Sequence, residues 1–274
     1  RVPYERLRPG PVGRRVAVID YDGANGCFYP PVDLDDPQLL LQGGLAPTDS
    51  DPRFHQQMAY AVVSHTLATF DRALGREVKF AFGPSPRNRT HLKVFPHGIC
   101  EANAYYSRAL HGLVFGYFAA SSDEPGHNIP GQPVYTCLSH DILVHETAHA
   151  VIDGMRSAFM DPTNPDTLAF HEGLADLIAL FQHFTFPEAL VETLRRTGGR
   201  LFRDSLEAVL GREPPPEGNE RNPLVELARQ FGEALGTRRA LRSAIGQVPS
   251  REVLQVVFEP HERGAILVAA VFDA

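Results

Sequence analysis

The apolar residues of this chain follow two patterns, one typical of helices and one typical of strands. A helical pattern runs from Val63 to Leu74, after the N-cap residue Asp51 and before the stop residue Gly75. Around it, short segments rich in β-branched and aromatic residues predict β-strands at residues 16–19, 78–82, 91–95, 102–106 and 113–118.

From about Asp141 onward the strand signals fade and amphipathic helical segments follow. We therefore predict an α+β fold, with a mixed α/β lobe at residues 1–138 and a mainly helical lobe at residues 139–274. Since the sequence does not begin with Met and stops within the apolar run 265–272, we expect the helical lobe to be truncated.

Composition narrows the possible functions. With 274 residues, 43% of them hydrophobic, the chain can bury a large core, which argues against intrinsic disorder. A net charge of −7 without a basic block argues against a nucleic-acid partner.

We find no apolar run of 18 residues and no signal segment, so we expect no membrane insertion. A cytoplasmic and a secreted location both stay open. The distant residues Cys27, Cys100 and Cys137 are interpreted as structural thiols.

The motif HExxH occurs once, inside an apolar segment that begins at Asp141. Residues four apart lie on one face of a helix, so His145 and His149 can present their imidazoles to one cation. Glu146 lies about 100° around the helix, beside the metal rather than on it. The sequence therefore predicts a zinc site in which Glu146 activates a zinc-bound water.

A catalytic zinc ion usually takes three protein ligands, and a second helix supplies a candidate. Its N-terminus is indicated by Asn164, and Glu172 and Asp176 lie four residues apart on one of its faces. We predict that Glu172 is the third ligand and that Asp176 orients a ligand imidazole. Small residues, among them Ala169 and Gly173, would let a neighbouring helix approach closely. A metal-free buried polar network is the alternative, although it would need partners for every buried group.

These residues resemble the thermolysin family of gluzincin peptidases. Residues 141–153 follow the family pattern D-x-x-x-H-E-x-x-H-A-V-x-D, and residues 172–176 follow E-A-x-x-D except for Gly173. Upstream, residues 103–106 are similar to the family's edge strand, which implies that Asn103 and Ala104 bind the substrate backbone. The resemblance implies a two-lobed zincin-like metalloprotease fold with the active site between the lobes.

Downstream, residues 241–243 and 261–266 resemble the family's segments that carry a substrate-binding arginine and a transition-state histidine. The resemblance thus implies a substrate-binding role for Arg242 and a catalytic role for His261. The family's tyrosine between the two ligand helices has no counterpart here. His183 stands where the family places an acidic calcium ligand, which argues against a stabilising calcium ion.

The expected activity is zinc-dependent endopeptidase cleavage of a peptide or protein substrate. A gluzincin aminopeptidase is one alternative, but the chain lacks the G-x-M-E-N type strand of such enzymes. A zinc-binding interaction module that has lost activity is another. The presence of Glu146 argues against the module, and the missing tyrosine argues mildly for it.

Overall fold

The structure, a computed structural model, describes residues 2–82, 91–122, 128–196 and 249–273. The chain divides into two compact units, Arg1–Ser157 and Ala158–Ala274. Its mixed α/β architecture is consistent with the predicted α+β class. We predicted a division after residue 138, whereas the helix with the HExxH motif packs against elements of the first unit. Every helix among the described residues is too short or too polar to cross a lipid bilayer.

A five-stranded sheet forms the centre of the first unit, with strand order β1-β4-β6-β5 and with β7 also paired to β6. Strands β1, β4 and β6 run parallel, and β5 and β7 run antiparallel to β6. A separate hairpin joins β2 to β3. The strands are β1 (Val16–Val18), β2 (Tyr21–Asp22), β3 (Cys27–Phe28), β4 (Leu92–Ile99), β5 (Ala104–Ser107), β6 (Gly112–Ala119) and β7 (Pro133–Tyr135).

Helices cover this sheet. The short helix α1 (Pro37–Gln42) precedes α2 (Pro52–Leu74), which begins at the N-cap Asp51 and ends at the left-handed residue Gly75. Because Asp51 accepts a hydrogen bond from a backbone N–H that has no partner inside the helix, it fixes where α2 begins. The buried face of α2 packs against β1, β4 and α3 (His140–Met155). The predicted long helix is therefore confirmed.

Two strand predictions need comment. Residues 78–82 form no strand. At Val78 side chains bind both backbone groups, since Asp71 accepts from the N–H and Arg15 donates to the carbonyl. That prediction was wrong. Strand β4 extends past the predicted 91–95, through Pro96, where its register with β6 shifts. Such irregularities are where a strand tolerates proline.

The second unit is helical in its described part. Helices α4 (Pro165–His183) and α7 (Pro260–Asp273) pack together around a small apolar core of Leu177, Leu180, Ala265, Val268 and Ala269. Helices α5 (Pro187–Arg196) and α6 (Arg251–Val256) complete its described elements. The N-cap predicted at Asn164 is confirmed, since its side chain accepts from two backbone N–H groups of the first turn.

Candidate metal centre

Helix α3 carries the HExxH motif and is deeply buried. Its N-cap residue Ser139 accepts a hydrogen bond from the N–H of Ile142, and Asp141 lies in the first turn, where a negative charge favours the helix. Every residue from 141 to 153 is buried. The imidazoles and the carboxylate of the motif therefore lie in the interior of the first unit, where polar groups require partners.

The two imidazoles of the motif converge. Nε2 of His145 lies 2.9 Å from Nε2 of His149, and the ring planes stand at 90°. Two nitrogens bound to one tetrahedral zinc ion at about 2.0–2.1 Å would be roughly 3.3 Å apart. The observed separation is within a few tenths of an ångström of that value. The pair therefore fits a shared cation with little adjustment.

Glu146 belongs to the same group. One ligand atom from each of His145, Glu146 and His149 lies within 4.8 Å of the others. The exposed fractions of the three residues are 4%, 6% and 9%. In such a water-poor environment electrostatic interactions between these groups and a cation are much stronger than in bulk water. The arrangement can hold a divalent ion and keep a carboxylate beside it.

The C-terminal end of α3 is attached to the strand that forms the edge of the sheet. The carboxylate of Asp153 is fully buried and accepts from the hydroxyl of Tyr106 at 2.7 Å and from Nε of Arg108 at 2.9 Å. Nη2 of Arg108 also donates to Asp153 and, at 2.8 Å, to the carbonyl of Ser157. These bonds hold the helix one turn after His149. The sequence pattern contained Asp153, but the two residues that bind it were not predicted.

Three predicted site residues belong to the second unit. Oε2 of Glu172 lies 3.4 Å from Nε2 of His261, so the structure brings two of them together. Asp176, one turn after Glu172 on α4, is buried. His261 lies in the first turn of α7 and is partly exposed, with Nδ1 2.7 Å from a carboxylate oxygen of Glu259. Roles for these residues at the metal stay predictions.

Glycines allow α4 and α7 to meet at Glu172. A Cβ on Gly173 would lie 2.7 Å from the carbonyl oxygen of Gly264. A Cβ on Gly264 would lie 2.7 Å from the carbonyl oxygen of Ala169 and 3.3 Å from Cβ of Glu172. The sequence predicted that a neighbouring helix approaches α4 closely at Ala169 and Gly173. Within the second unit, the helix that does so is α7.

The substrate-binding predictions fall on different parts of the chain. Ala104 begins β5, which lies at the edge of the sheet, and Asn103 directly precedes it. The side chain of Asn103 accepts a hydrogen bond from the N–H of Ala104. Arg242 lies outside the described residues. The substrate-binding role of all three stays a prediction.

Comparison with known proteins adds little to this geometry. The sequence matches no protein-family model and no curated relative. Among solved structures, the precursor of protealysin, a metalloproteinase from Serratia proteamaculans, is similar to this chain, with 18% sequence identity and a TM-score of 0.38. The alignment covers 67% of this chain and 47% of the precursor, so the chain spans about half of that protein's length. The candidate metal centre is therefore defined by the chain's own residues.

Proposed function

We propose that this chain is a zinc-dependent endopeptidase of the two-lobed zincin type, acting on a peptide or protein substrate. In this proposal His145, His149 and Glu172 hold the metal, and Glu146 transfers protons. The observation that carries it is the convergence of the two Nε2 atoms to 2.9 Å, with the carboxylate of Glu146 in the same buried group.

The donor set favours zinc. Two imidazole nitrogens and one carboxylate oxygen are a ligand set of catalytic zinc sites, which leave a further position open. When bound, zinc acts as a Lewis acid and makes water a stronger nucleophile at neutral pH. Neighbouring carboxylates such as Asp176 often orient ligand imidazoles, which is the role we propose for that residue.

Glu146 would act as general base and then as general acid. Its carboxylate takes a proton from the attacking water, and the same oxygen then delivers that proton to the nitrogen of the departing amine. A buried position suits this task, since few competing water molecules reach the carboxylate. One group thus handles the proton in both halves of the reaction without a covalent intermediate.

His261 would stabilise the negative charge that develops on the substrate carbonyl oxygen. Its proximity to Glu172 supports this role, because a ligand and an oxyanion donor must act on the same small volume. Glu259 holds Nδ1 of the imidazole. Burial opposes ionisation of Glu259, but hydrogen bonds from His261 and from a backbone N–H outweigh it and lower the pKa of that carboxyl. Glu259 is therefore an acceptor that orients the His261 ring.

The position of β5 at the edge of the sheet suits an extended substrate. A peptide can add to a sheet edge through backbone hydrogen bonds, independently of its side chains. We place Asn103 and Ala104 in this role, and Arg242 in contact with a substrate carbonyl. Backbone binding along an edge strand needs no free substrate amine, which favours endopeptidase over aminopeptidase activity.

The substitution Glu146→Gln tests the proposal. Loss of the proton acceptor should reduce cleavage of a peptide library by about 10²- to 10⁴-fold. Zinc content measured by atomic spectrometry should stay unchanged, because Glu146 is not a ligand. Glu77→Gln is the control, since this exposed residue forms a surface ion pair with Arg14 and its loss should leave cleavage unchanged.

Two further measurements complete the test. His149→Ala should lose activity and the zinc ion held on α3, and a chelator should abolish wild-type activity until zinc is restored. Undiminished cleavage by Glu146→Gln would refute the mechanism. A wild-type chain that binds zinc but cleaves no peptide in the library would instead be an interaction module.

A further inference from the structure

A second group of metal-binding residue types lies in the interior of the first unit and plays no part in the proposed peptidase. We call it the His55 cluster: His55 on α2, His97 on β4, Cys137 in the 3₁₀ turn Thr136–Leu138, and Asp20 after β1. The exposed fractions of these residues are 1%, 1%, 0% and 6%. Residues far apart in the sequence have thus been brought to one buried point.

The ligand atoms of this cluster are close together. One atom each from His55, His97 and Cys137 lies within 4.8 Å of the others. Nδ1 of His55 is 2.8 Å from Nε2 of His97, and Nδ1 of His97 is 2.6 Å from Oδ1 of Asp20. Gln56 donates to the other oxygen of Asp20 at 2.8 Å. The imidazole pair is spaced like the pair on α3.

The carboxylate of Asp20 determines which ring nitrogen of His97 carries a proton. As an acceptor it selects the tautomer with hydrogen on Nδ1, which places the Nε2 lone pair towards His55. A ligand histidine is held by a carboxylate in this way in many metal sites. His97 is therefore oriented as a metal ligand would be.

The opposing ring nitrogen of His55 then has two possible states. If Nδ1 carries hydrogen it donates to His97, and no residue in the described part of the chain donates a hydrogen bond to the buried Nε2 lone pair. If Nε2 carries hydrogen, two lone pairs face each other at 2.8 Å, which requires a cation between them.

Cys137 adds a sulfur donor. Burial and, to a lesser extent, the charge of Asp20 raise the pKa of its thiol. Cys137 is therefore not an exposed, reactive nucleophile. Binding to a metal ion ionises a thiol, and the proton is released to solvent. The bound thiolate and the Asp20 carboxylate together would offset the two positive charges of a divalent ion.

We propose that His55, His97 and Cys137 bind a second metal ion, with Asp20 as the positioning carboxylate. Two imidazoles and a thiolate favour Zn²⁺ among the divalent ions of this size. Such an ion would join α2, β4 and the turn that directly precedes α3. Its role is structural, because the ligand atoms are buried and tyrosine rings pack on both imidazoles: Tyr29 on His97, and Tyr135 on both.

Cobalt is the probe, because a Co²⁺–thiolate bond gives a charge-transfer absorption band in the near ultraviolet that a Co²⁺–imidazole bond lacks. The full chain carries His145→Ala and His149→Ala, so that the α3 pair cannot bind. It also carries Cys27→Ser and Cys100→Ser, which change exposed residues and leave Cys137 as the only thiol. This variant should bind about one Co²⁺ per chain and show the thiolate band.

The matched comparison adds Cys137→Ser to the same variant, which should lose the band. Circular dichroism shows whether both variants fold, and Co²⁺ should raise the thermal unfolding midpoint of the thiol-containing one. If the thiol-containing variant folds but lacks the band, the proposal is wrong. The two imidazoles would then share a proton instead of a metal ion. A band that persists after Cys137→Ser would overturn it too. Neither result depends on peptidase activity.

Discussion

The substitution Asp153→Asn tests how α3 is held in place. The wild-type carboxylate is fully buried and accepts from the hydroxyl of Tyr106 and from two nitrogens of Arg108. Asparagine has almost the same shape but only one acceptor oxygen and no charge. Its oxygen can take the place of Oδ2 and accept from Tyr106 and Nε of Arg108, but the amide NH2 group then faces Nη2 of Arg108, and the ion pair is lost.

The expected cost follows from these bonds. A hydrogen bond such as that from Tyr106 contributes about 1 kcal/mol, and a bond between charged groups about 1.5–3 kcal/mol. The Arg108 side chain is 40% exposed, so water can replace part of its interaction, and we reduce its share to about 1–2 kcal/mol. Asp153→Asn should therefore lower the free energy of unfolding by about 1–2 kcal/mol, the share of the Arg108 pair. Tyr106→Phe, which keeps the Arg108 pair, should cost about 1 kcal/mol.

Urea unfolding at pH 7, followed by circular dichroism and by the fluorescence of the eight tyrosines, measures both costs in a chain without tryptophan. The double variant should cost less than the sum of the single variants, because the bond from Tyr106 is already weaker when its acceptor carries no charge. Asp161→Asn, at an exposed position, is the control for loss of one charge. A loss below 0.5 kcal/mol for Asp153→Asn, or strict additivity with Tyr106→Phe, would refute the reasoning.

Two further predictions concern the same unit. Gly154→Ala would place a Cβ 1.8 Å from the carbonyl oxygen of Lys79, so α3 or the segment around Lys79 must move. Urea unfolding should show that the free energy of unfolding falls by about 1–3 kcal/mol. Wild-type stability would contradict this prediction. Burial opposes ionisation of Asp22, but hydrogen bonds from Asn25, Tyr117 and Tyr29 outweigh it and lower its pKa below 3.8. The carboxylate therefore stabilises the fold at neutral pH, and this contribution is lost as pH falls through the folded pKa. Asp22→Asn should destabilise the protein at pH 7 and progressively less below pH 3.8; a pH-independent difference would contradict this.

Several elements were predictable because their signals are local. Helix α2 begins at Asp51 and ends at Gly75, and α4 begins at Asn164, since capping depends on residues within one turn. The imidazole pair of α3 follows from four-residue spacing on a helix. By contrast, residues 78–82 have the composition of a strand but form none, and the side chains of Arg15 and Asp71 bind the backbone of Val78 instead.

The amino-acid sequence by itself determined helices α2, α3 and α4, most of the strand segments and the pairing of His145 with His149. Only the tertiary structure decided that Asp20, His55, His97 and Cys137 meet in the interior, and that Tyr106 and Arg108 hold the end of α3. The physical reason is the range of the interactions. Helical periodicity and capping act over about four residues, whereas these contacts join segments brought together by the packing of the sheet and helices of the first unit.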